Sequence, residues 1–173
     1  MRPGRRAAIV GALLAGPIAS WGCGDSPERR VDPAHADSVV VVFTRDEAPF
    51  PVVRAVTGPS AGPRDALEWL LRGPTPEERD AGIHSWFSAA TAGALRSIEI
   101  DSPGRATVDF RDLRRLIPNA SSSAGSAALL LELNGTLFRF PEIRSVEYRI
   151  DGSCEVFWNW LQYECRIVPR PGG

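Results

Sequence analysis

Cys154 and Cys165, eleven positions apart, bracket an aromatic-rich segment, Glu155-Val156-Phe157-Trp158-Asn159-Trp160-Leu161-Gln162-Tyr163-Glu164. That separation is not a zinc-ligand spacing, and in an oxidising compartment two such thiols are expected to form an intramolecular disulfide. Within the bracket Val156, Phe157, Trp160 and Leu161 suit one helical face turned toward a core, which places Trp158 and Tyr163 outward. Trp158, Trp160 and Tyr163 are then a candidate surface for a partner or for stacking on sugar rings, with a hydrophobic lid as the competing reading. His84 follows a helix stop and stands beside Ser85, the other histidine being His35 near the N-terminus. Adjacency in sequence does not make a triad, which needs convergence in space and an orienting carboxylate, so an exposed or structural His84 is expected. Glu99, Asp101 and Asp109 would share the outer face of a hairpin, where paired carboxylates can perform acid–base work or hold a cation. No Asp-x-Asp-x-Asp-Gly loop accompanies them, and a solvated acidic face is expected. No residue pattern designates a catalytic, cofactor-binding or metal-binding group.

The N-terminus decides where such groups would work. Arg2, Arg5 and Arg6 precede a small-residue apolar run over residues 7–19 that is too short to span a bilayer comfortably, so residues 1–22 read as a secretory signal peptide. Ser20-Trp21-Gly22-Cys23 resembles a lipobox, in which a small residue precedes a Cys that receives a diacylglyceryl group and becomes the new N-terminus. Ser20 departs from the usual Leu and Trp21 is bulky for its place. Ordinary cleavage nearby would instead leave Cys23 as an odd thiol. Arg5-Arg6 keeps the twin-arginine route open beside the general one. Residues 23–37 then form a lipidated N-terminus and polar tether, and the expected location is extracytoplasmic, anchored to a bacterial membrane. Cleavage before Cys23 removes three of the 20 arginines and none of the 21 acidic residues, leaving a formal charge near −4. Nucleic acid is therefore not an expected partner.

The elements that must position these groups lie in residues 38–152. Residues 39–43 are a continuous β-branched run suited to a buried strand, and residues 52–56 suit a second after the break at Pro49-Phe50-Pro51. The glycines of residues 58–62 lack the spacing and the Lys of a phosphate loop. Pro63 suits a first helical turn, Leu67, Leu70 and Leu71 make an apolar stripe, and Gly73-Pro74 ends it. Thr75 with Glu78 three residues on makes a capping box for a second helix, which Gly82 closes. Ile98 and Ile100, then Ala106, Val108 and Phe110, alternate with polar residues across the Ser102-Pro103-Gly104-Arg105 turn, the pattern of a hairpin with one wet face. After a polar loop over residues 119–123, Leu129, Leu130, Leu133, Leu137 and Phe140 predict a helix running through Asn134-Gly135 to Pro141. Val146, Tyr148 and Ile150 predict a further strand before the Asp151-Gly152 turn. The order predicts an α+β two-layer sandwich, a mixed β-sheet with helices packed on one face.

The words Leu-Leu-x-Gly-Pro-Thr-x-Glu-Glu from Leu70 to Glu78, followed by Gly82 and Ile83, resemble the signature of the GerMN family, the domain named for a bacterial sporulation and germination protein. Residues 98–110 resemble that family's paired strands, and Thr136-Leu137-Phe138-Arg139-Phe140-Pro141-Glu142-Ile143 resembles its helix end. Phe87-Ser88 departs from the aliphatic residue and Pro common there. The resemblance implies an extracytoplasmic domain over residues 38–152 with a fold similar to the ring-building motif of membrane-associated assembly proteins. Residues 153–173 form an extension beyond it. The expected function is a non-catalytic, membrane-anchored lipoprotein that binds or assembles with other envelope proteins or with itself, without a cofactor. A glycan-binding module, with peptidoglycan as ligand through the C-terminal aromatics, and an envelope hydrolase are the alternatives.

Overall fold

The structure is a computed structural model and describes residues 38–57 and 61–172. The signal peptide, Cys23, the tether and most of the 58–62 loop lie outside the described residues.

Strands β1 (Ser38–Arg45) and β2 (Ala48–Ala55) form an antiparallel hairpin. Asp46 and Glu47 close it with φ of 51° and 61°, the handedness a two-residue hairpin turn requires. Pro49-Phe50-Pro51 is not a break, because the strand runs through both prolines. They stand opposite Thr44 and Val42, and the Val42 N–H turns away from β2 to donate to Thr136 Oγ1 at 2.9 Å. No ladder bond is lost, and two prolines blunt the outer edge of β2. Strand β3 (Ile83–His84) pairs with Arg45 and Thr44 on the other side of β1, giving the order β2-β1-β3.

A second sheet runs β4-β5-β6-β7, with β4 (Leu95–Ile100), β5 (Arg105–Phe110), β6 (Ser145–Ile150) and β7 (Ile167–Pro169). Strands β5 and β6 are parallel and the other pairs antiparallel, so this sheet is mixed. The α+β class is as expected, with the strands distributed over two sheets. One core serves both: α1 (Pro63–Arg72) packs on β1 and β4, while α3 (Ser123–Leu137) packs on β1 and α1.

The capping chemistry is that of the sequence. Asp65 accepts from the Gly62 N–H at 3.0 Å ahead of α1, whose Leu67, Leu70 and Leu71 are wholly buried. At the start of α2 (Pro76–Asp80), Thr75 Oγ1 accepts from the Glu78 N–H at 3.2 Å and the Glu78 carboxylate from the Thr75 N–H at 2.8 Å. Between the two helices Gly73 has φ 73°, and a Cβ there would lie 2.3 Å from the Phe87 carbonyl oxygen. Gly73 of the Gly-Pro-Thr word is thus the contact point for Phe87-Ser88.

Helix α3 starts earlier than its leucines suggested and ends at Leu137, short of the expected Phe140, its start capped by Ser122 Oγ accepting from the Gly125 N–H at 3.1 Å. Asn134-Gly135 sits mid-helix for two packing reasons. A Cβ on Gly135 would lie 3.0 Å from Val42 Cγ1, and Asn134 Oδ1 accepts the Tyr148 hydroxyl at 2.9 Å.

A disulfide joins Cys154 to Cys165, with Cα atoms 5.5 Å apart. It folds α4 (Cys154–Trp160) back toward β7, an unexpected strand that pairs Val168 with Val146. Beyond it the Arg170 guanidinium donates to the carbonyls of Phe138, Phe140 and Ile143, in the turns that follow α3. The C-terminal residues therefore complete a sheet and tie down a helix end.

Candidate functional site

A cleft of about 470 Å³ opens between the N-terminal half of α3 and the adjoining ends of β1 and β3. Its α3 wall is Ala124, Ala127, Ala128 and Leu131, one face at helical spacing, and Thr44, Glu47, His84 and Trp86 form the rest. Glu47 enters the rim from the hairpin turn, where a non-glycine residue with positive φ costs about 1 kcal/mol.

Glu132, one position past Leu131 and turned into the protein, is wholly buried. Ser85 Oγ donates to its Oε2 at 2.6 Å, while Oε1 is buried without a partner among the described residues. Burial pushes the Glu132 carboxyl up to about 8, against the Ser85 hydroxyl, the Trp86 amide and the Thr44 hydroxyl, which favour the charged form. At neutral pH the group holds its proton. Sequence reasoning missed it, although Glu132 falls at helical spacing with Leu129, Leu133 and Thr136, all buried. The leucine stripe itself carried the signal.

His84 is exposed and its side chain borders the cleft, but the wiring of a nucleophile is not present. Ser85 Oγ accepts from the Phe87 N–H at 3.0 Å and sends its proton directly to Glu132, with no imidazole between them. A Ser–His–acid relay places the histidine between the other two. Ser85 and Glu132 instead clamp the chain entering Phe87 onto α3.

Glu99, Asp101 and Asp109 do not converge on this cleft. Asp109 Oδ1 accepts from the Gly152 N–H at 2.8 Å and its other oxygen lies 3.4 Å from Arg96, so it supports the neighbouring turn. Asp101 accepts from the Arg105 N–H at 2.7 Å inside the hairpin turn, and Glu99 is exposed. Among the described residues no three His, Cys, Asp or Glu side chains are grouped as metal ligands.

The outward placement of Trp158 is corrected. Phe157 and Leu161 are buried, but Trp158 is wholly buried too, while Val156 and Trp160 are half-buried and Tyr163 is exposed. The cause is the returning chain. After Cys165 it lays Arg166 over the Trp158 ring at 4.7 Å and over the Tyr163 ring at 4.4 Å. On the inner side Phe157 meets the Trp158 ring edge-to-face at 5.4 Å and Tyr148 lies tilted to it at 6.3 Å. Trp158 has no free face for a sugar.

A family model described as Germane, sporulation and spore germination, matches residues 31–154. The chain belongs to the Germane family. The Germane match stops at the first cysteine of the disulfide, so β7 and the Arg170 clamp lie beyond it. The first GerMN domain of the sporulation protein GerM from Bacillus subtilis is similar in fold, with TM-score 0.51 and 20% identity over 66% of this chain and 83% of that one. The tandem GerMN domains of the same protein align with TM-score 0.47 and 21% identity, over 67% of this chain and 40% of that one. A putative lipoprotein from Clostridium perfringens gives TM-score 0.38 and 18% identity, over 67% of this chain and 75% of that one. No curated protein matches the chain in sequence.

Proposed function

We infer that this Germane protein is an exported lipoprotein, anchored through Cys23, whose folded domain docks other envelope proteins without catalysing a reaction. One observation carries the docking reading. The cleft at α3 is largely apolar and small-residue-walled, while Ser85 and the Glu132 Oε2 beneath it are engaged in holding the chain together. Alanines at 124, 127 and 128 let an incoming backbone approach closely, and Glu47 supplies a negative rim. The complementary occupant is a segment of another envelope protein that offers an apolar side chain flanked by a basic residue. Catalysis would need convergent polar groups free to act, and Ser85 is not free. Among the described residues no helix is long and apolar enough to cross a membrane. The anchoring reading rests on the signal-like apolar run and on Ser20-Trp21-Gly22-Cys23, which resembles a lipobox.

A photo-crosslinking residue at Ala127, in the native envelope, is expected to capture a defined protein partner, whereas the same residue at exposed Glu99 captures none. Equal adducts from both positions would remove the cleft from the account. For the anchor, Cys23→Ala is expected to release the protein from the membrane fraction. Retention of that variant, together with an intact mass for the parent that shows no acyl chain, would refute lipidation.

A further inference from the structure

Three side chains that line a second, smaller cleft carry hydrogen-bond donors. This cleft, about 180 Å³, lies between α3 and the returning C-terminal chain, with Leu130, Ile167, Val168 and Pro169 as apolar walls. Trp158 forms part of it, and the Trp158 Nε1–H is buried with no acceptor among the described residues. A buried indole N–H ordinarily finds a partner, and leaving one unmade is costly. Asn134 also lines the cleft, and because its Oδ1 takes the Tyr148 hydroxyl, its amide nitrogen contributes only N–H groups. The third group is Arg166. Its guanidinium uses its faces against Trp158 and Tyr163 and makes no ion pair among the described residues, so the in-plane N–H fork is left over.

We propose that this cleft binds a carboxylate, the C-terminal carboxylate of a peptide that ends in a small aliphatic residue. Three donor groups carrying one positive charge match a monoanion with two acceptor oxygens, and a guanidinium edge fits a carboxylate in two-point geometry. The same single charge argues against a phosphate dianion. The volume falls below the ~300–1,000 Å³ of sites for drug-sized molecules and suits one terminal residue, whose methyl group would meet Leu130 and Val168. The site lies beyond the stretch matched by the Germane model except for its α3 wall, so it belongs to this chain's own C-terminal elaboration. It is independent of the docking cleft.

The test is an NMR titration of the full chain with N-acetyl-alanyl-alanine, following the Trp158 indole N–H, with the corresponding carboxamide as control. The indole of Trp158 is assigned by its loss in Trp158→Phe. The acid is expected to shift that resonance saturably, the carboxamide to leave it in place, and Arg166→Gln, at an exposed side chain, to weaken the affinity at least tenfold. Comparing the L,L and D,D dipeptides distinguishes a protein C-terminus from a wall peptide as the source, and selective binding of either upholds the site. No saturable shift at tens of millimolar, an equal response to the carboxamide, or unchanged affinity in Arg166→Gln would overturn it and leave a bound water as the partner of the indole.

Discussion

Glu132 keeps its proton to about pH 8 in the folded protein, and that has a direct thermodynamic consequence. In the unfolded chain an ordinary glutamate ionises near 4.3, so between about pH 5 and 8 the native state binds a proton that the unfolded state has released. The sign follows: the contribution is fully present below the unfolded value and is lost as pH rises toward the folded one. Stability is expected to fall with pH across this window by up to about 1.4 kcal/mol per pH unit for the one group. Glu132→Gln, which keeps the shape and an acceptor for Ser85 without a titrating proton, should flatten that slope. Denaturant unfolding of parent and variant at several pH values checks it, and identical slopes would mean that Glu132 is charged in the native state. The residue was hidden from the sequence because a single acid within Leu-Leu-Leu-Glu-Leu reads as the wet edge of a stripe. Only the angle about the helix axis, shared with Leu129 and Leu133, places it inside. The reverse error befell Trp158: helical angle alone turned it outward, and what buried it was chain from after Cys165.

At the level of elements, the local signals were legible and the long-range ones were not. The capping box at Thr75 and Glu78, the Gly73 stop and the alternation of β5 and β6 act over a few residues, and each is present where the sequence put it. Strand β2 was misread at its prolines because their cost depends on which edge their N–H would face, a fact held by Val42 and Thr136 on other elements. Strand β7 was unseen for a similar reason: three residues, Ile167–Pro169, have no readable period and become a strand only because β6 offers an edge and the disulfide delivers them to it. That dependence can be measured. Replacing Cys154 and Cys165 by Ser opens a loop of eleven residues' separation and is expected to cost about 2–3 kcal/mol, with faster amide exchange in β7 and little change in β1 and β2. An unchanged unfolding midpoint would show that Arg170 holds the segment without help from the bridge.

For the whole molecule, the fold class was legible in the order of elements over residues 38–152 and the family in the fourteen residues from Leu70 to Ile83, whereas the cleft proposed for docking was not. Such a cleft has no motif. This one arises because α3 crosses the end of the β1–β3 pair and leaves an alanine face beside Trp86, and each of those residues alone reads as ordinary. The central claim, that the Germane domain works by docking at this cleft, separates two variants that a catalytic account would rank the other way. Ala127→Arg places a bulky charge on an exposed cleft position without disturbing the core, and Glu99→Gln removes a candidate acid–base carboxylate that lies outside the cleft while keeping a polar side chain of similar size. The decisive measurement is quantitative co-purification of the crosslinked partner from the native envelope with each variant, at matched unfolding temperature. Docking requires that Ala127→Arg lose the partner and Glu99→Gln retain it; retention by Ala127→Arg with loss in Glu99→Gln would contradict the account.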